Sequence, residues 1–295
     1  MSRETENPSP RSDGADEEPP LFEFEMVEPV SPAVAGRFED LAPRLVTALA
    51  LLAIGAVAVV LGGLWFTVLI GVIVGVMLWE LATMVRTGPR RARLMAGLGG
   101  MAVVAANLLP VGFGLPLLML VPMLGIAIIR DHRRIMVSFS AAIVLAGLSL
   151  TQHLTEFGLE WMLWLILVVV ASDVCGYFAG RFLGGPKFWP RVSPKKTWTG
   201  TVAGWLGAAV VGWIWTVWLN AGWETIGISV ALAMMAQMGD IAESAVKRKV
   251  GVKDSSNLLP GHGGLFDRFD AMIGAALMLL VIKSVAEFPP IPGVS

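Results

Sequence analysis

Side chains able to do chemistry gather in two stretches of this 295-residue chain. The first holds Asp173 and Arg181, followed by Ser193-Pro-Lys-Lys-Thr197 with Lys195 and Lys196. The second runs from Gly239 to Asp270. It carries Asp240, Glu243, Ser244, Lys247, Arg248, Lys253, Asp254, the turn Pro260-Gly-His-Gly-Gly264, Asp267, Arg268 and Asp270. Asp240, Ser244 and Lys247 are spaced four and three residues apart, which puts them on one face of a helix. Asp267 and Asp270, three apart at the start of an apolar run, project together in the same way. Two acids from one helix and one from another suit Mg2+, which takes oxygen ligands and keeps several waters. Helix capping would explain Asp267 and Asp270 in isolation; Asp240 and the neighbouring cations turn the reading toward metal.

Those cations argue for phosphate. Lys195, Lys196, Lys247, Arg248, Lys253 and Arg268 exceed what two or three carboxylates need as partners. A triphosphate and a phospholipid headgroup would supply the missing negative charge. Positive loops on one side of a membrane protein would also be basic, but that does not account for the interleaved Asp, Ser and Gly. Gly261, Gly263 and Gly264 surround His262 just before a helix start, where backbone N–H groups can approach an anion. His262 either meets a phosphate or base edge or holds the loop. The chain has no Ser-His-Asp arrangement, zinc-ligand spacing or dinucleotide-binding fingerprint, and no nucleic-acid partner is expected.

The elements that must position these residues are membrane spans. Apolar residues make up 55% of the chain and charged residues 15%, against about 25% charged in a soluble domain. Apolar runs of roughly 20 residues match a hydrocarbon core about 30 Å thick. The expected fold is an all-α polytopic membrane protein with about nine transmembrane helices, near 43–63, 65–85, 94–110, 112–129, 135–151, 160–180, 199–219, 225–246 and 267–286. Loops after the even-numbered segments hold the Lys and Arg residues, including Arg86, Arg130, Arg181, Lys195 and Lys247. Loops after the odd-numbered ones hold none, but contain Glu156, Glu160 and Glu224. That alternation predicts a cytoplasmic N-terminus and places both chemical stretches in the cytoplasm. Lys283, the exception, can snorkel from a helix end. Trp161, Trp164, Trp218 and Trp223 near span ends read as interfacial anchors.

Residues 1–40 hold eleven of the 23 acids, are rich in Pro and Ser, and show no apolar period. They read as a disordered cytoplasmic tail, and their acidity is wrong for the leading region of a signal peptide. The expected division is therefore the tail at 1–40, N-terminal transmembrane helices at 41–159 and a catalytic transmembrane region at 160–295. Cys175 is the single cysteine and reads as a packing residue. His132 and His153 read as ordinary loop residues. Glycine pairs such as Gly71 with Gly75, Gly176 with Gly180 and Gly200 with Gly204 permit close helix contact.

Ser244-Ala-Val-Lys-Arg248, then Lys253-Asp254, then Pro260-Gly-His-Gly-Gly-Leu-Phe-Asp-Arg-Phe-Asp270 resembles the signature of the phosphatidate cytidylyltransferases, or CDP-diacylglycerol synthases. The Ser193–Thr197 motif and the segment from Asp173 to Arg181 resemble the same family. Thr199 departs from it, since members carry Glu at that place. The resemblance implies a Mg2+-dependent reaction in which phosphatidic acid attacks the α-phosphorus of CTP, releasing pyrophosphate and giving CDP-diacylglycerol. It implies that Asp240 and Asp267 hold the metal, with a monovalent cation such as K+ beside it, and that Ser193, Ser244, Lys247 and Asp270 complete the site. A homodimer in the cytoplasmic (inner) membrane, with a funnel open to cytosol and bilayer, is also implied.

The chemistry agrees with that implication. A phosphomonoester has a second pKa near about 6, so phosphatidic acid is mostly dianionic and needs no strong base. The task is to bring anions together and stabilise the leaving pyrophosphate. Lys247, Arg248 and Arg268 are accordingly expected on the nucleotide phosphates. Asp270 is expected to orient a cation or bound water, with Lys195 and Lys196 at the lipid phosphate or membrane surface. Asp173, Ser193, Lys253, His262, Gly263 and Gly264 join the substrate-binding set. Two rivals stand beside this reading. A CTP-dependent kinase of a polyprenol-type lipid alcohol would yield CDP. A membrane transporter would show inverted repeats and midplane polar residues, neither of which is evident.

Overall fold

The computed structural model describes residues 41–110, 112–129, 131–259 and 263–289, with no side-chain description for residues 41–45. The tail at 1–40 and His262 thus lie outside the described residues. Eight helices appear among the described residues: α1 (Leu41–Leu61), α2 (Gly63–Met84), α3 (Pro89–Leu108), α4 (Gly114–Ile128), α5 (Arg133–Phe182), α6 (Trp198–Trp218), α7 (Glu224–Val250) and α8 (Phe266–Val285). Four of them (α2, α5, α6 and α7) are long and apolar enough to cross a membrane by length and composition.

The fifth and sixth expected segments run together in α5. At about 1.5 Å per residue its 50 residues would extend about 75 Å, far beyond the hydrocarbon core. Gly158 breaks the run, with φ 80° and ψ −170°, so α5 consists of two helical arms joined at a kink. His153 is accordingly not a loop residue. It is buried in the first arm with Nε2 2.9 Å from the Trp161 carbonyl oxygen.

Two helices outrun their apolar segments into charged sequence. Helix α3 starts at Pro89, a residue that suits a first helical position, and includes Arg90, Arg91 and Arg93 ahead of the apolar run. Helix α7 continues through Lys247–Lys249, cations favourable at a helix C-terminus, and ends at Gly251 in the left-handed conformation.

Between α5 and α6 lies an element the sequence reading lacks. Strands β1 (Lys187–Trp189) and β2 (Ser193–Thr197) pair antiparallel in a small hairpin. Thr197 then caps α6, its hydroxyl accepting from the Gly200 N–H at 3.2 Å. Helix α5 packs along α6 and α8, α7 lies between α6 and α8, and α2 packs on α3. Two of the tryptophans expected at the interface are instead core residues. Trp161 and Trp164 are buried, and the Trp164 indole N–H donates to Ser229 Oγ at 3.0 Å. Lys283 is paired with Glu156 and sits 4.6 Å from the Phe157 ring centre, so its charge is matched within the protein.

Candidate active site

The site forms where the second half of α7 crosses the first turns of α8. Gly239 and Gly274 let the two backbones meet there. A Cβ on Gly239 would lie 2.3 Å from the Asp270 carbonyl oxygen, and one on Gly274 would lie 2.0 Å from that of Met235. This close crossing brings Asp240 and Glu243 of α7 to Asp270 of α8. One oxygen from each carboxylate lies within 4.8 Å of the others. Asp270 also accepts the Ala271 N–H at 2.7 Å.

Lysines enter this cluster from two sides. Strand β2 delivers Lys196, whose Nζ is 2.5 Å from Asp240 Oδ2 and 3.4 Å from the Gln237 carbonyl oxygen. Helix α7 supplies Lys247, which lies 2.5 Å from Glu243 Oε2 and 2.6 Å from Asp267 Oδ1. Ser244 donates to Asp240 Oδ1 at 3.4 Å, so the face shared by Asp240, Ser244 and Lys247 is realised on α7. Asp173, from the second arm of α5, has Lys196 and Asp240 as its electrostatic neighbours. Gln237 fastens this corner together, donating to Ser172 Oγ and to the Thr201 carbonyl while accepting from the Trp205 indole.

Asp267 sits at the far side of Lys247. Its Oδ2 accepts the Gly264 N–H at 2.8 Å, the Ser255 N–H at 2.9 Å and the Ser255 hydroxyl at 2.9 Å. Gly264 has no room for a side chain, because a Cβ would lie 1.9 Å from Ser255 Oγ and 2.5 Å from Glu80 Oε1. Gly263 adopts φ 80°, a left-handed conformation suited to glycine. The basic residues Lys195, Arg248, Lys253 and Arg268 are exposed around this inner group, and Ser193 is half-buried on β2. Thr199, at the position where the resemblance expects Glu, hydrogen-bonds the Gly184 carbonyl and lies 3.0 Å from Thr197 Oγ1.

Five carboxylates (Asp173, Asp240, Glu243, Asp267 and Asp270) thus meet two lysines, an all-oxygen donor set with excess negative charge. Glu243 is almost wholly buried, and its Oε1 has no hydrogen-bond partner among the described residues. A divalent cation fits this chemistry, because buried charge must be paired or coordinated. Among the candidates, the structure pairs Lys196 and Ser244 with Asp240 and Lys247 with Asp267, and sets Asp270 beside Asp240; Asp173 is an electrostatic neighbour, and Arg248, Lys253 and Arg268 are exposed. Glu243, singled out in the sequence as an acid inside an apolar segment but given no role there, is a member of the close carboxylate trio. Glu80 on α2 carried the same signal and was missed. An apolar groove of about 770 Å3 runs between α2 and α3 to Arg93 and Leu258. It contains none of these carboxylates.

Residues 42–285 match the model of a cytidylyltransferase family. The chain is 42% identical over 157 residues to a phosphatidate cytidylyltransferase of Brucella suis biovar 1, covering 52% of this chain and 58% of that protein. It is 44% identical over 134 residues to one of Helicobacter pylori strain J99, covering 45% and 50%. With one of Staphylococcus aureus strain COL it shares 36% identity over 150 residues, covering 49% and 58%. The chain spans about half the length of these curated relatives.

Proposed function

This chain belongs to the cytidylyltransferase family, and on that premise we propose that it transfers a cytidylyl group from CTP to phosphatidic acid, yielding CDP-diacylglycerol and pyrophosphate. The observation that carries this reading is the meeting of Asp240, Glu243 and Asp270 with Lys196, Lys247 and Asp267 at the α7–α8 crossing. In the reaction a phosphatidic acid oxygen forms a bond to the α-phosphorus of CTP. The bond from that phosphorus to the bridging oxygen of the β-phosphate breaks, and the electron pair leaves with pyrophosphate.

Each residue's work follows from its chemistry. Asp240 and Asp267 would hold Mg2+, with Glu243 and Asp270 supporting the set and K+ as a neighbouring monovalent ion. Bound there, Mg2+ would neutralise phosphate charge. Lys247 is placed to exchange its carboxylate partners for a nucleotide phosphate, a charge-assisted contact of the same kind. Arg248, Lys253 and Arg268 are exposed on these segments and would draw in the triphosphate, with Gly263 presenting backbone to it, while Gly264 serves the site by holding Asp267. His262 would meet a phosphate or base edge. Lys195, Lys196 and Ser193 on the β2 side would meet the lipid phosphate, with Asp173 orienting Lys196.

The same reading extends to the setting. We place the enzyme as a nine-span homodimer in the cytoplasmic membrane, with its N-terminus and site on the cytoplasmic side. The α5 kink divides that helix into the fifth and sixth spans, and the basic loops support the orientation. Residues 1–40, 41–159 and 160–295 then act as tail, scaffold and catalytic region. Incubating purified protein with CTP and phosphatidic acid and identifying the nucleotide product tests the proposal. Pyrophosphate supports it; CDP without pyrophosphate would contradict it, and a parallel reaction with a polyprenol as acceptor then tests the lipid-alcohol kinase.

A further inference from the structure

We propose that Glu80, contributed by α2 from the opposite end of the chain, is a positioning residue that sets the metal-binding geometry of Asp267. This deepens the metal assignment made under the proposed function and rests on it. Glu80 has no exposed surface and forms no salt bridge among the described residues. A carboxylate so buried ordinarily needs a cation or a full set of donors. Here the donors come from the loop that leads into α8. Glu80 Oε1 accepts the Leu265 N–H at 2.9 Å and the Ser256 hydroxyl at 2.6 Å. Its Oε2 accepts the Phe266 N–H at 2.7 Å and lies 3.4 Å from Ser255 Oγ.

Two of these donors are the first free N–H groups of α8, which no local side chain caps. Glu80 therefore caps the helix from a distance of 185 residues in sequence, where the helix dipole favours a negative charge. The same loop holds Asp267. Ser255 and Gly264, which donate to Asp267 Oδ2, both pack directly against the Glu80 carboxylate. Ser256 also accepts the Leu258 N–H at 3.1 Å, so the loop is fixed on both sides of Glu80. Moving that carboxylate moves the donors that aim Asp267.

The decisive feature is that each Glu80 oxygen accepts one backbone N–H. An amide cannot satisfy both, since its NH2 group would face a backbone donor whichever way it is turned. Glu80→Gln is therefore a shape-preserving change that breaks one capping bond. Removing the outer partner of a ligand typically weakens metal binding by about 10–100-fold. The test is a Mn2+ titration of the full-length protein in nanodiscs without substrates, read by electron paramagnetic resonance beside the melting temperature. Glu80→Gln is expected to weaken Mn2+ binding about tenfold. Ser256→Ala removes a bond to Glu80 without touching Asp267, and should shift affinity in the same direction by a smaller factor. It also serves if Glu80→Gln does not fold. Wild-type Mn2+ affinity in either folded variant, or no Mn2+ binding by the wild type, overturns the inference. A wild type that binds Mn2+ but makes no CDP-diacylglycerol would refute the proposed function and leave the Glu80 assignment standing.

Discussion

Replacing Gly239 with alanine adds one methyl group at the point where α7 and α8 touch. The added carbon would sit 2.3 Å from the Asp270 carbonyl oxygen and 3.1 Å from the Gly274 nitrogen, both backbone atoms that no rotamer change can move. Ordinary contact begins near 3.4 Å, so the helices must separate by about 1 Å. That displacement acts at Asp240 on one helix and Asp270 on the other, inside a cluster whose oxygens lie within 4.8 Å. A misplacement of about 1 Å at a reacting centre costs about a hundredfold in rate. Overpacking of this kind destabilises by roughly 1–3 kcal/mol, which a protein can survive. Gly239→Ala should therefore remain folded while CDP-diacylglycerol formation at saturating CTP falls by about two orders of magnitude. The control is Gly227→Ala on the same helix, where an added Cβ meets nothing within 4 Å. It should keep full activity and gain up to about 1 kcal/mol from helix propensity. Equal turnover for the two variants would refute the claim that this crossing sets the site.

Lys247→Met leaves the Glu243 and Asp267 carboxylates facing each other without their shared cation. A melting-point series should show a loss of roughly 3–5 kcal/mol, together with loss of turnover. Gly264→Ala forces a carbon to within 1.9 Å of Ser255 Oγ, so the loop must move. Mn2+ binding and activity should both drop at least tenfold, the scale for lost support around a ligand. Lys196→Ala breaks a partly exposed pair with Asp240 and should change stability by less than about 1 kcal/mol. If Lys196 meets the lipid phosphate, its KM for phosphatidic acid should rise about tenfold or more, as for a lost charged hydrogen bond. An unchanged KM removes Lys196 from the lipid subsite.

The alignment of Asp240, Ser244 and Lys247 was legible in the sequence because helical spacing sets it, whereas the approach of Asp267 and Asp270 depends on the crossing of α7 and α8 at Gly239 and Gly274. Hydropathy located the helices but misjudged their ends. It reports apolar surface, whereas α3 and α7 continue through Arg90–Arg93 and Lys247–Lys249 as long as backbone hydrogen bonding is satisfied. The hairpin at 187–197 was missed because Ser193-Pro-Lys-Lys-Thr197 has no apolar alternation. The contributions of Glu80, Gln237 and Lys196 depend on contacts across 32 to 186 residues, which no local pattern encodes. An acid inside an apolar span was the available sign for Glu80 and Glu243. Burial shows why both are tolerated: each carboxylate is met by donors or a lysine.

The most direct test of the account uses CTP labelled at its α-phosphorus, with phosphatidic acid and Mg2+, for the wild type and for Asp240→Asn and Asp267→Asn. The account predicts labelled lipid from the wild type and none above background from either variant. Lipid labelled only by γ-labelled CTP, or undiminished α-label transfer by both variants, would contradict it.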